Sequence, residues 1–372
     1  MAGLVAPVHI LVVNAGSSSL KLRLLGPGDE LLGEHDVDAP RAEPDASALD
    51  AVLGDLEDVG AVGHRIVHGG ERFREAVRID DKVVEALREL TDLAPLHQPK
   101  SLAALDAVRR ALPDVPAVAC FDTAFHATLP AAAATYALPA EWRARWGLRR
   151  YGFHGLSHAY ASRRAGELLG RDGLRVVTCH LGAGASLAAV RDGRSVDTTM
   201  GFTPLEGLAM ATRSGSVDPG LMLWLLEPGR IGVDDLANAL EHDSGLNGLA
   251  GTPDMREVLA RRAAGDEAAA LAIDVYVHRL RAGIAAMAAA LDGMDAIVFT
   301  GGVGERSAPV REDACRGMRF LGVELDPSAN AQATGDADVT APGGSIRVLV
   351  VPAREDLEIA RQVRAVLASD RS

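Results

Sequence analysis

Asn14 to Lys21 reads Asn-Ala-Gly-Ser-Ser-Ser-Leu-Lys, a cluster of small residues and hydroxyls closed by one of the chain's few lysines. Small side chains let backbone N–H groups approach an anion, hydroxyls add donors, and lysine adds charge. The same residues suit a tight, soluble hairpin turn, so the stretch has two readings, a phosphate loop and a plain turn. His180-Leu181-Gly182-Ala183-Gly184 is a second small-residue turn. Thr300-Gly301-Gly302-Val303-Gly304-Glu305 is a third, set between an apolar run and a helix-like stretch at 307–315. There a glycine turn can bring a helix N-terminus or bare backbone to a nucleotide, or it can simply join strand to helix. Neither glycine cluster is a dinucleotide fingerprint, since each lacks a third glycine, and no Gly-Lys dipeptide exists for a Walker loop.

Two arginines stand apart from the rest. Arg65 lies in Gly-His-Arg-Ile-Val-His-Gly-Gly and Arg213 in Thr-Arg-Ser-Gly, with no acidic neighbour beside either. That setting argues against a local surface salt bridge. The planar guanidinium fork suits a carboxylate or a phosphoryl group in transfer, although a structural arginine satisfies the same pattern. Asp122 follows an apolar stretch ending at Cys120, a strand-end position where α/β proteins handle ligands. His154 sits between glycines in Tyr-Gly-Phe-His-Gly, open to a cleft role and to a plain structural one. No His-Glu-x-x-His and no Cys/His cluster offers a zinc site.

The elements that must carry these residues alternate between strand-like and helix-like, which predicts an α/β protein. Residues 8–13, 115–120, 175–179, 296–300 and 346–351 read as buried strands. Residues 80–90, 99–112, 158–169, 266–291 and 355–367 read as helices. Pro99 suits a first turn, Ser157 an N-cap, and Gly170 a C-terminal stop. Residues 39–48 read as a surface loop. The 14–21 and 179–187 stretches share one plan, strand into small-residue turn into strand, which is compatible with chance and with an internal duplication.

With 372 residues, 48% of them hydrophobic, the chain has material for two domains. A net charge of −13 argues against nucleic acid or an anionic membrane as partner. Lysine occurs only at Lys21, Lys82 and Lys100, so nearly all basic charge is arginine. Cys120, Cys179 and Cys315 are widely spaced with no C-x-x-C, as in a reducing compartment. The apolar run before Asn14 is a strand's length without a basic lead, so no signal peptide is expected. The expected location is the cytoplasm.

Taken together, the segments resemble the acetate kinase family of the acetate and sugar kinase, Hsp70 and actin superfamily. The matching stretches are N-A-G-S-S-S-L-K at 14–21, G-H-R-I-V-H-G-G at 63–70, A-P-L-H-Q-P at 94–99 and F-D-T-A-F-H at 121–126. They continue with Y-G-F-H-G-L-S-H at 151–158, S-V-D-T-T-M-G-F-T-P-L-E-G-L at 195–208, D-M-R at 254–256 and F-T-G-G-V-G-E at 299–305. The resemblance implies an α/β fold of two duplicated ribonuclease-H-like (actin-like ATPase) domains around a central cleft. The first domain would be 1–125 plus 356–372, and the second, dimer-forming one 126–355. The stretch between Lys21 and Arg65 is shorter than the family usually has.

The resemblance also implies transfer of the ATP γ-phosphoryl group to acetate, with Mg²⁺ or Mn²⁺, by a homodimer. Asn14 and Glu355 match the metal-side residues, and Ser17, Ser19 and Lys21 the phosphate loop. His180, Leu181, Gly182, Ala183 and Gly184 match an ATP-binding segment. So do Asp254, Met255 and Arg256, and Gly302, Val303, Gly304, Glu305 and Arg306. Arg65 matches the carboxylate-binding arginine, and Val67, Leu96, Phe153 and Pro204 the pocket for the methyl group. Asp122 matches the catalytic aspartate, and His154 and Arg213 the transition-state stabilisers. A carboxylate is already a nucleophile, so Asp122 better suits orienting an arginine or a metal-bound water than removing a proton. Propionate or butyrate kinase is the neighbouring alternative, and a non-catalytic actin- or Hsp70-like nucleotide switch the distant one. Ala183, Arg306 and Arg354 depart from the family pattern, where Asn, Asn, and Asn or Asp are usual; the two arginines are expected to add charge near the phosphates.

Overall fold

The computed structural model describes residues 8–15, 19–38, 51–54, 58–94 and 98–370. Ser17, Leu96 and the 39–48 loop therefore lie outside the described residues. The chain divides into two compact units, Met1–Ala127 with Arg354–Ser372, and Thr128–Ala353. The helices used below are α1 (Asp81–Glu89), α2 (Gln98–Ala111), α3 (Gly155–Leu169), α4 (Met255–Ala263), α5 (Glu267–Ala290), α6 (Gly301–Arg306), α7 (Ala308–Arg316) and α8 (Glu355–Ser369).

The first unit holds β1 (His9–Ala15), β2 (Ser19–Leu25), β3 (Leu31–Asp38), β4 (Val59–Ile66), β5 (Val77–Arg78) and β6 (Ala117–Phe121), in sheet order β3-β2-β1-β4-β6-β5. β1 and β2 form an antiparallel hairpin with Asn14 opposite Lys21. β4 runs parallel to β1 and β6 parallel to β4. Side chains alternate along β4, as strand geometry requires. Val62 and Ile66 join Leu11, Val13 and Phe121 in the core, together with Leu102, Leu105 and Val108 of α2. On the other face α8 lies against β4. A Cβ on Gly63 would come within 2.4 Å of Ile359 Cγ2 and 2.8 Å of Val363 Cγ2. Only glycine permits that approach, which sets Glu355, at the start of α8, on the face that Arg65 shares.

The second unit holds β7 (Arg175–Leu181), β8 (Ala185–Arg191), β9 (Arg194–Thr198), β10 (Ala296–Thr300), β11 (Ala337–Asp338) and β12 (Arg347–Val350), in order β11-β12-β10-β7-β8-β9. Read from the other edge, this is the order of the first sheet. The directions agree as well: a hairpin of β7 and β8, then β10 and β12 parallel to β7. The molecule is an α/β protein of two similar domains, each a mixed sheet with helices. α3 packs on β7 and β10, and α5 on β8 and β9.

Two expectations about local structure are corrected. The helix expected at 158–169 begins at Gly155 with His154 as its N-cap, so Ser157 lies inside the first turn and caps nothing. The glycine stretch after β10 is itself a short helix, α6, and not a bare turn before α7. Gly170 does end α3, with φ +59°. No helix among the described residues is long and apolar enough to cross a membrane.

Candidate active site

In the first unit the C-terminal ends of three neighbouring parallel strands carry the polar residues, as open α/β sheets do at ligand sites. Asn14 is near the end of β1, Arg65 near the end of β4, and Asp122 directly after β6. Asp122 accepts two bonds from Arg65, Nε to Oδ1 at 3.1 Å and Nη2 to Oδ2 at 2.5 Å. Arg65 Nη1 donates to Asn14 Oδ1 at 3.1 Å, and Asn14 Nδ2 donates to Glu355 Oε2 at 3.2 Å. Glu355 also lies 3.9 Å from Arg65 Nε. Burial alone would lower the Arg65 pKa, but the Asp122 and Glu355 carboxylates outweigh it and hold the guanidinium above its ordinary value. Burial pushes the Glu355 carboxyl up against the opposing pull of Arg65, and Asp122 adds to the rise.

The loop that follows β4 is fixed by neutral bonds. Gln98 Oε1 accepts from His68 N at 3.3 Å, and its Nε2 donates back to the His68 carbonyl at 3.3 Å. Thr123 Oγ1 accepts from Gly69 N at 3.0 Å. Val67, between Arg65 and this clamp, is buried. Lys21 is exposed on β2, and Ser19 opens that strand.

In the second unit His154 caps α3 from the left-handed region, φ +57°, a conformation that costs a non-glycine residue of order 1 kcal/mol. Its Nδ1 lies 2.9 Å from Ser186 Oγ, and its ring stacks on His180 at a centroid distance of 4.3 Å. His180 Nδ1 lies 2.8 Å from Ser157 Oγ. The turn after β7 runs beneath them. A Cβ on Gly184 would be 3.3 Å from His154 Nε2 and 3.5 Å from Arg213 Nη1, so the position needs a small residue. The Ala183 carbonyl accepts from Ala211 N at 3.1 Å, tying this turn to the segment that carries Arg213. Leu181 and Phe153 are buried, and Pro204 is half-buried with its carbonyl 3.4 Å from Arg213 Nη1.

Both singled-out arginines are ion-paired despite their non-acidic flanks, through acids far away in sequence: Asp122 for Arg65, and Glu241 for Arg213 at 3.1 Å. Asp254 caps α4 by accepting from Arg256 N at 2.9 Å. It also pairs with the exposed Arg256 guanidinium, which, with that backbone bond, draws its pKa to about 2. Met255 is buried. On α6, Gly302 and Val303 are half-buried and Gly304 is buried. Glu305 accepts from Ala353 N at 2.8 Å.

The two arginines that depart from the family pattern bond within their own segments. Arg306 bends back on its own turn to donate to the Gly302 carbonyl at 3.2 Å. Arg354 forms a fork on the buried Asp356, with Nη2 to Oδ2 at 2.9 Å.

Several residues around the site were not found by sequence reasoning. Glu241 is one. Another group is Tyr136, which donates to Glu206 at 2.5 Å while Arg150 donates to the same carboxylate at 2.7 Å and to the Thr199 and Met200 carbonyls. That cluster braces the 199–206 segment, and burial raises the Tyr136 pKa. Arg311 of α7, wholly buried, donates to the Gly304 and Glu305 carbonyls and to Asn330, with no ion pair to an acid among the described residues, and so anchors the end of α6. A buried, counter-ion-free arginine on neutral carbonyls leaves no local signal in a sequence.

The comparisons with known proteins agree. The acetokinase family model matches residues 45–361. An acetate kinase from Gloeobacter violaceus is 52% identical over 315 residues, covering 84% of this chain and 78% of the relative. The crystal structure of Porphyromonas gingivalis acetate kinase matches with a TM-score of 0.90 at 37% identity, covering 97% of this chain and all of the other. A propionate kinase from Francisella tularensis matches with a TM-score of 0.91 at 34% identity, covering 96% and 100%. Sequence and fold thus converge, and the chain belongs to the acetokinase family.

Proposed function

We propose that the protein transfers the γ-phosphoryl group of ATP to acetate, reversibly, giving acetyl phosphate and ADP. A carboxylate oxygen attacks Pγ, the new O–P bond forms, and the bond from Pγ to the bridging oxygen breaks as ADP leaves. The observation that carries this reading is the Arg65 fork held from behind by Asp122. Nη1 and Nη2 each keep a second N–H for an incoming carboxylate. Asp122 thereby serves as an orienter of Arg65, and no base is needed for a substrate that is already an anion.

Arg213 and His154 are assigned to the oxygens of the transferring group, where donors aimed at developing charge count most. The turn at His180–Gly184, the Asp254–Arg256 start of α4 and residues Gly302–Arg306 of α6 are assigned to the nucleotide, with Ser17, Ser19 and Lys21 for its phosphates. The acetate methyl is assigned to the apolar residues Val67, Leu96, Phe153 and Pro204. Asn14 and Glu355 suit Mg²⁺, a hard cation that takes one or two protein oxygens and completes its shell with phosphate and water. A buried carboxylate whose pKa is driven up is one that a cation would relieve. When bound, the ion would neutralise phosphate charge. A homodimer through the second unit belongs to this reading. The exposed apolar run of Leu221, Leu223, Trp224 and Val233 supports it.

A three-carbon acid is the second reading, favoured by the likeness to the Francisella propionate kinase. The test is ADP formation that depends on the added acid, with the acyl phosphate trapped by hydroxylamine as a hydroxamate. Nucleotide binding without acid-dependent turnover would instead point to a switch.

A further inference from the structure

The second unit holds more histidine near this strand end than the proposed reaction uses. His158 is fully buried on α3, one turn beyond His154. Its ring joins two hydroxyls: Nδ1 is 2.7 Å from Thr178 Oγ1, and Nε2 is 2.8 Å from Ser186 Oγ. Ser186 Oγ in turn lies 2.9 Å from His154 Nδ1. With the proton of the buried Ser186 given to one of its two imidazole neighbours, and one N–H on each neutral imidazole, this string can be polarised in two senses.

The far end selects between them. Thr178 Oγ1 also lies 3.4 Å from the Ala188 carbonyl, which can only accept. When Thr178 donates there, it accepts from His158 Nδ1–H. His158 Nε2 then accepts from Ser186, and Ser186 accepts from His154 Nδ1–H. In the opposite sense Thr178 donates to His158 Nδ1, His158 Nε2–H donates to Ser186, Ser186 donates to His154 Nδ1, and the His154 proton moves to Nε2.

We propose that Thr178, His158 and Ser186 are positioning residues that hold neutral His154 as its Nδ1–H tautomer. The inference deepens the reading of His154 as a phosphoryl-oxygen donor and rests on it for its catalytic meaning. Neutral His154 then accepts at Nε2, on the edge beside Gly184 and Arg213, and donating there requires a second proton on the ring. Among the groups bearing on that proton are the His180 ring stacked on it, the Arg213 guanidinium across Gly184, and His158 through Ser186. Fixing a tautomer through the other ring nitrogen is a general way to set what a histidine can do.

Thr178 bonds His158 and Ala188 but not His154, which gives a test that a packing role would not pass. Long-range ¹H–¹⁵N spectra of the full-length protein labelled with [¹⁵N]histidine, assigned with His154→Gln, should show neutral wild-type His154 protonated at Nδ1. Thr178→Val removes the acceptor of His158 Nδ1–H, reverses the string, and should move the His154 proton to Nε2. Ser186→Ala should lower kcat on the order of tenfold to a hundredfold with KM changed by less than about twofold, and Ser186→Thr should restore it. Wild-type His154 protonated at Nε2, or a His154 spectrum indifferent to Thr178→Val, would overturn the proposal. The wild-type spectrum decides even if the valine variant does not fold. The expected tautomers in a protein without acetate-dependent turnover would sink the functional reading and leave this one standing.

Discussion

The two sheets share strand order and direction, yet the polar residues gathered around them differ in chemistry. The first unit offers charge held by charge: Arg65 on Asp122, with Asn14 and Glu355 beside it. The second offers neutral rings and hydroxyls, His154, His180 and His158 on Ser186, Ser157 and Thr178, with Arg213 on Glu241 at its margin. A duplicated frame has thus been loaded asymmetrically. The first unit pre-orients a fixed cation against desolvated carboxylates, which suits binding an anion. The second sets donors through hydrogen bonds whose protons can shift.

That contrast predicts different failures. Asp122→Asn should be the most damaging single change, lowering kcat/KM for acetate on the order of 10³-fold, because Arg65 loses its bidentate partner as well as its orientation. Arg213→Lys should leave the fold intact but lower kcat on the order of 10²–10³-fold, since a point charge replaces a fork. Steady-state kinetics with both substrates varied separates the two. If Asp122→Asn acted on kcat alone and Arg213→Lys on acetate KM alone, the division between a binding half and a transfer half would be reversed.

Acid should weaken the first unit through two buried histidines. His64 and His68 are buried in the first, and burial holds them down to about 3 and about 4. In the unfolded chain each takes a proton near pH 6.5. Between that pH and the folded values the unfolded state binds more protons, so stability rises with pH and is lost on acidification. The slope should reach about 1.4 kcal/mol per pH unit for each histidine. Hydrogen exchange at pH 7, 6 and 5 should show protection in β4 falling with acid, and His64→Leu should remove about half of that slope. A flat profile in β4 would show that neither histidine is buried neutral.

Much of this was legible from sequence, and the rest was not, for identifiable reasons. The paired hairpins announced themselves because a strand, a small-residue turn and a second strand are local patterns. The long helix at Glu267–Ala290 and the Gly170 stop were equally local. The start of α3 was misread because Ser157 is a common capping residue, whereas the actual cap is His154 in a left-handed conformation that propensity disfavours. That departure falls on a residue proposed to act in the reaction, where local rules are most often broken. The partners of Arg213 and Glu206 were invisible because they come from distant segments, and only folding pairs them.

A smaller effect tests whether the apolar side of the site belongs to the first unit. Val67 is buried beside the Gln98 clamp, so truncating it should open space without disturbing Arg65. Val67→Ala should improve propionate relative to acetate by roughly 1 kcal/mol, about fivefold in the ratio of kcat/KM values. An unchanged ratio would move the methyl contact away from Val67.

The smallest effect expected lies at the three departures from the family pattern. From sequence, Ala183, Arg306 and Arg354 suggested that phosphate grip had shifted from a side-chain amide to positive charge, with looser choice of donor. Exposed charges acting at a distance would make activity fall steeply with ionic strength, because salt screens them beyond about 8–10 Å. The structure reduces that expectation at Arg354, which is paired with Asp356, whereas Arg306 is exposed on the neutral Gly302 carbonyl and keeps its charge. Charge paired as at Arg354 adds little field elsewhere, and an exposed charge such as that of Arg306 is screened by solvent and salt. Arg306→Asn and Arg354→Asn should therefore change the ATP-to-GTP ratio of kcat/KM by less than about twofold, the effect of under 0.5 kcal/mol usual for a surface substitution. Ala183 is different, because its carbonyl is bound by Ala211 while its side chain contributes no donor. Ala183→Asn should restore one amide bond to a phosphate, about 1 kcal/mol, and raise turnover with ATP several-fold. A donor preference that shifts with either arginine, and not with Ala183, would mean that the second unit also works by fixed charge, and the contrast between the two sheets would narrow.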